Sequence, residues 1–203
     1  SWTKSPTNLV LNSTRCWTSW TVTKRKPSLK SALTGLLGRD DCFIAGTKIE
    51  ECGKTFSIRP QAGEEVVGIR VDGCQLTAQS GLACDAVFFI HRPSQNHLLI
   101  VLVELKGSDV GHAVKQITAV RDYLAHLVGC GQGRRHGQAL LTAMGSPTGL
   151  SHGGNLLGVV VSRSGLPQMQ QLAAAARKAG VKLTKQKDTT GISTSQLVTW
   201  LGI

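Results

Sequence analysis

The chain has 203 residues, 41% of them hydrophobic and 17% charged, which is globular composition and excludes an extended disordered polymer. Its length suits one sizeable core or at most two small domains. The longest aliphatic run, Leu98 to Val103, is six residues, far below the roughly 18 apolar residues of a membrane-crossing helix.

Charge is the first positive clue. Lys and Arg number 23 against 12 Asp and Glu, a formal net of +11. Residues 1–40 hold seven basic side chains and one acid, and residues 134–203 hold eight and one. A near-neutral middle is thus flanked by two basic segments, a distribution suited to a polyanion such as nucleic acid. No basic-then-apolar start marks a secretory leader. The expected location is therefore intracellular, in cytoplasm, nucleus or nucleoid.

Residues 1–27 read as a basic, Trp-containing segment, loosely held, ahead of a single domain over 28–203. Trp2, Trp17 and Trp20 interleave with Lys4, Arg15 and the run Lys24, Arg25, Lys26. Such side chains stack on bases and hold phosphates, or simply pack onto the domain. Ser28 to Leu37 predicts a short helix capped by Ser28, with Leu29, Leu33, Leu36 and Leu37 on one face. Strands are predicted over 55–59 and 66–71.

Asp85 to Ile90 predicts a strand, 91–97 a polar turn around Pro93 and Asn96, and Leu98 to Leu105 a second strand, so aliphatic that both faces must be buried. Together they form a hairpin. Asp109 to Val128 predicts a long helix whose apolar residues, from Val110 to Leu127, follow helical spacing. A Gly-rich basic loop with Arg134 and Arg135 follows. Strands are predicted over 139–143, 156–161 and 181–184, with helices over 168–178 and 194–201. The expected class is α/β, a mixed central sheet flanked by helices.

The chemistry concentrates at the hairpin. Glu104 and Lys106 are two apart on one strand and share a side, while Leu105 points into the core. Asp85 opens the preceding strand, and an antiparallel pairing brings it beside Glu104. Two converging carboxylates repel unless a cation lies between them, and Mg²⁺, a hard ion satisfied by oxygen, fits. The Leu105 carbonyl is a candidate third oxygen. The plainer alternative is an ion pair at a sheet edge.

Asp85, then about twenty residues, then Glu104-Leu105-Lys106-Gly107 and a long helix resembles the PD-(D/E)xK, restriction-endonuclease-like nuclease superfamily. Cys84 stands where the motif's name has Pro, and the first predicted helix lacks the acid many members carry there. Among Glu50, Glu51, Glu64, Glu65 and Asp72, Asp72 is chosen as the replacement because it ends the strand entering the core. Gln116 reads as a helix-surface residue, although some members turn a Gln toward the site from this helix.

The resemblance implies a Mg²⁺- or Mn²⁺-dependent phosphodiesterase, an endonuclease ahead of an exonuclease, with DNA preferred over RNA as partner. Asp85 and Glu104 would hold the metal and Lys106 would orient or deprotonate water. Lys24, Arg25, Lys26, Arg134, Arg135, Lys182, Lys185 and Lys187 would position phosphates. A homodimer is allowed, and no membrane partner is expected. The alternative is a non-catalytic nucleic-acid-binding module on the same fold.

The six cysteines include no C-x-x-C pair. Cys42 and Cys52, like Cys74 and Cys84, stand ten apart, which leaves a four-thiolate zinc site as a minor alternative to reduced, buried thiols. The six histidines form no metal-ligand pattern, and no nucleophile elbow or P-loop occurs.

Overall fold

The aliphatic run that ends at Glu104 is the spine of the molecule. In the computed structural model it lies in β5 (His97–Leu105), where every residue from Leu98 to Leu105 is buried. Both faces of this strand must therefore be covered, and the rest of the fold provides the two covers. The structure describes residues 28–37, 39–72, 74, 81–105, 109–129, 156–162, 169–179, 181–185 and 191–201.

Before β5 come α1 (Leu29–Leu37), β1 (Lys48–Glu51), β2 (Lys54–Arg59), β3 (Glu65–Arg70) and β4 (Ala86–Arg92). After it come α2 (Val110–Gly129), β6 (Leu156–Ser162), α3 (Met169–Lys178), β7 (Val181–Lys185), β8 (Ile192–Ser193) and α4 (Thr194–Leu201). The main sheet has the order β3-β4-β5-β6-β7. Its first three strands are antiparallel neighbours, and β6 and β7 run parallel to β5. The fold is α/β with a mixed sheet, as expected.

Local chemistry sets the boundaries. The Ser28 hydroxyl accepts from Ser31 N at 3.2 Å and starts α1. Asp109 Oδ1 accepts from His112 N at 2.8 Å and starts α2. His91 and Arg92, read from sequence as turn, instead extend β4, and the reversal is a 3₁₀ turn over Pro93–Gln95 closed by Asn96 at φ 48°. The strand predicted over 139–143 lies outside the described residues.

Two cores result. One face of the main sheet, with Val87, Leu98, Ile100, Leu102 and Val160, packs against Leu29 and Leu33 of α1, Val110, Ile117 and Leu124 of α2, and Ala176 of α3. The other face, with Phe88, Val101, Val103, Leu105 and Val159, packs against Ile49, Phe56 and Ile58 of a second, small sheet and Leu197 of α4. That sheet, order β1-β2-β8, was only partly foreseen, because β1 and β8 lie outside every predicted strand. β1 pairs with β2 antiparallel, and β8 pairs with β2 in parallel through Ile58↔Ile192.

The cysteine expectation needs correction. Cys42 and Cys74 form a disulfide, with Cα atoms 5.9 Å apart, joining the segment before β1 to the one after β3. Cys52 is exposed and Cys84 buried, and these two are not disulfide-bonded. Among the described residues no helix is long and apolar enough to cross a membrane.

Candidate active site

The β4–β5 register runs from Arg92↔His97 to Ala86↔Val103. One step further sets Asp85 across from Glu104. The side chain confirms the closeness: Asp85 Oδ2 accepts a hydrogen bond from Leu105 N at 2.5 Å. A carboxylate thus takes the backbone donor just beyond the last ladder pair. The Asp85 carbonyl accepts from Val71 N at 3.1 Å, which fixes the residue from its other side.

Glu104 is 1% exposed, and alternation along β5 assigns it to the face of Leu98, Ile100 and Leu102. Leu105 lies on the opposite face, in the core against the small sheet. The expected split between these neighbours is present. Burying a carboxylate in an aliphatic strand costs several kcal/mol by typical magnitudes, so the position demands a chemical reason.

The residue before Asp85 reports the local field. Burial pushes the Cys84 thiol up, and the negative charges of Glu104 and Asp85 push it further. The thiol, which donates to the Ala86 carbonyl at 3.5 Å, is therefore inert as a nucleophile. Its environment is set by both acids at once.

Gln116 is not a plain helix-surface residue. Its side chain is half-buried, and Nε2 donates to the Ala83 carbonyl at 2.6 Å. It ties α2 to the segment entering Asp85.

An acid not chosen from sequence also senses Asp85. Glu51, at the end of β1, lies within electrostatic reach of the Asp85 carboxyl. Burial raises the Glu51 carboxyl first, the neighbouring Asp85 raises it further, Arg70 lowers it, and Asp72 raises it again. Asp72 itself is exposed, and its effect here is through its charge. The turn after Glu51 has Cys52 at φ 47° and Gly53 at φ 67°, the two positive values a tight hairpin requires. Across it Lys54 is the register partner of Glu51 and is 5% exposed.

Lys106 lies outside the described residues, as do Lys24, Arg25, Lys26, Arg134, Arg135 and Lys187. Lys185 is described only as the last residue of β7. Lys182 is exposed, with its ammonium 6.0 Å from the Trp200 ring centroid.

The donors suit a hard cation. Asp85 and Glu104 face each other across the strand pair, two such carboxylates repel unless a proton or a positive ion lies between them, and all their donor atoms are oxygen. Among the described residues no group of three or more His, Cys, Asp or Glu side chains converges tightly enough to form a metal-holding set. Glu104 stands opposite Asp85 across the strand pair, and Glu51 senses the charge of Asp85 from the small sheet. No protein-family model, curated protein or solved structure matches this chain.

Proposed function

We propose that this chain is a Mg²⁺- or Mn²⁺-dependent nuclease that hydrolyses phosphodiester bonds, acting on DNA in preference to RNA. The single observation that carries the reading is the bond from Leu105 N to Asp85 Oδ2 beside buried Glu104. The order of helix, three antiparallel strands, helix and parallel strand around those residues supports the resemblance to the PD-(D/E)xK superfamily. The net charge of +11 supports a polyanionic substrate.

In this reading Asp85 and Glu104 hold the cation, with the Leu105 carbonyl as a further oxygen. When bound, the cation polarises the scissile phosphate and makes nearby water more acidic. Lys106 follows Glu104-Leu105 in the chain and orients or deprotonates the attacking water. Its charge also offsets the negative charge that builds on the phosphate. Gln116 holds the Ala83 carbonyl and so keeps the entry to Asp85 in place. Lys182 and the basic segments at 24–26 and 134–135 position the backbone without reading sequence.

The test is incubation of DNA with the full chain and Mg²⁺ or Mn²⁺, beside Glu104→Ala and Lys106→Ala. Cleavage by the wild type that both substitutions abolish supports the reading. Cleavage that survives both removes these residues from the chemistry. Salt-sensitive binding without metal-dependent turnover assigns the chain to non-catalytic binding instead.

A further inference from the structure

Asp85 stands where two strand ladders run out. Past the last β3–β4 pair, Arg70↔Ala86, Val71 N donates to the Asp85 carbonyl at 3.1 Å. Past the last β4–β5 pair, Ala86↔Val103, Leu105 N donates to Asp85 Oδ2 at 2.5 Å. The ends of ladders fray unless something pins them. On the β3 side the pin is covalent: Cys74 N donates to the Val71 carbonyl at 3.1 Å, and the disulfide joins Cys74 to Cys42.

The Cys42 end of that bond is itself anchored. Its carbonyl accepts from Arg70 N at 2.9 Å, Phe43 bridges Ile69 in antiparallel fashion, and Ile44 N donates to the Gly68 carbonyl at 2.8 Å. Residues 42–44 are thus clamped along β3, one after another. Cys42 and Cys74 are 4% and 9% exposed and share one buried cluster with Val71 and Cys84. In a close-packed core two sulfurs fit there at covalent separation, whereas two thiols need more room and one of them must move. The backbone bond described for Cys74 leads to Val71, and from Val71 to Asp85.

We propose that the Cys42–Cys74 disulfide is a redox latch on Asp85: its reduction by a dithiol frees the Val71–Cys74 turn, lets the chain at Asp85 fray and weakens the hold of the candidate site on a divalent cation. The last step rests on the reading of Asp85 and Glu104 as a metal-binding pair. A thiolate of the dithiol attacks one sulfur, the S–S bond breaks, and a mixed disulfide forms. The second thiol of the reagent then closes its own disulfide. Two electrons and two protons pass to the Sγ atoms of Cys42 and Cys74, and the reagent is oxidised by the same two electrons. Both cysteines are nearly buried, so attack follows local opening of the turn.

Two measurements on the full-length chain test it, each made on oxidised protein, on protein reduced with dithiothreitol and freed of the reagent under nitrogen, and on reoxidised protein. Mass spectrometry after alkylation verifies the state of Cys42 and Cys74. The first measurement is residue-resolved amide hydrogen exchange. Reduction is expected to speed exchange at Val71 N and Leu105 N about tenfold or more, with Leu102 and Val159 in the middle of the sheet unchanged. The second is calorimetric titration of Mn²⁺ without nucleic acid. Reduction is expected to weaken Mn²⁺ about tenfold, and reoxidation to restore it. Cys42→Ala with Cys74→Ala should match the reduced protein and ignore the dithiol.

The outcomes separate. Unaltered protection of Leu105 N on reduction overturns the latch, whatever the metal does. Loss of protection at Leu102 and Val159 together with Val71 and Leu105 overturns it as well, because the bond then only stabilises the fold as a whole. Faster exchange confined to Val71 and Leu105 with unchanged Mn²⁺ affinity overturns control of the site. If oxidised wild type binds no Mn²⁺, the metal reading itself falls and control of the site with it, while selective exchange still supports the coupling of the cysteine pair to Asp85. The exchange measurement on reduced wild type decides the matter even if the double variant does not fold.

Discussion

The Gln116 side-chain amide donates to the Ala83 carbonyl at 2.6 Å, and so couples the middle of α2 to a segment two residues from Asp85. Helix position thereby becomes carboxylate position. Gln116→Ala is expected to lower the rate of the proposed cleavage about tenfold, since small displacements at a reacting centre are costly. Global stability should fall by only about 1 kcal/mol, the typical worth of one hydrogen bond. Single-turnover kinetics and a urea titration on the same samples check both numbers.

Glu64 is the junction of three elements. Its carboxylate accepts from Arg92 Nε at 2.9 Å, Thr194 Oγ1 at 2.6 Å and Gln61 N at 2.8 Å. Burial alone would raise this carboxyl, but the bonds from Thr194, Gln61 and Arg92 together hold it below its usual value. The folded state therefore binds this proton less readily than the unfolded state. The resulting stability is complete above the ordinary glutamate value of 4.5 and is lost as pH falls below it. Glu64→Gln is expected to cost about 3 kcal/mol at neutral pH, because it leaves Arg92 buried and unpaired. Denaturant midpoints at several pH values should show wild type and variant converging in acid.

Gly158 has no room for a side chain. A Cβ there would lie 2.7 Å from Ile117 Cγ2 and 3.1 Å from Val181 Cγ2. Gly158→Ala must push α2 away from β6, at an expected cost of about 1–3 kcal/mol. Because Gln116 adjoins Ile117 on that helix, the same change should also reduce activity, and a melting curve with a cleavage assay checks the pairing.

The Cys42–Cys74 disulfide closes a separation of 32 residues. The chain-entropy treatment assigns a loop of that size about 3–4 kcal/mol. Cys42→Ser with Cys74→Ser, or addition of reductant, should lower the melting temperature accordingly. A thermal scan with and without reductant decides the point, and the double variant should be indifferent to it.

Much of this arrangement was readable in the residues. β5 announces itself because six consecutive aliphatic side chains leave no polar face, and the Asp85–Glu104 apposition follows from antiparallel register alone. The small sheet was harder. β1 is four residues, three of them charged, and β8 is two residues whose partner lies more than a hundred positions earlier. Hydrophobic periodicity has nothing to register over such lengths. Glu51 was one of five acids without a distinguishing pattern, since its nearness to the charge of Asp85 depends on how one sheet packs on another. A signal was present all the same: Ile49 is buried, so Glu51, two residues on, faces the same way, and Cys52-Gly53 fixes where the strand turns. The disulfide pairing was not deducible from spacing, because it joins segments on either side of a hairpin and a strand.

The fastening of the β1–β2 hairpin by β8 and α4 has a consequence for biosynthesis. During translation the five strands of the main sheet are all made before residue 191 leaves the ribosome. The ribbon bearing Glu51 and Lys54 emerges before those strands, yet its parallel neighbour follows all of them. A nascent polypeptide thus completes the strands of its spine before the segment that latches the outer wall is available.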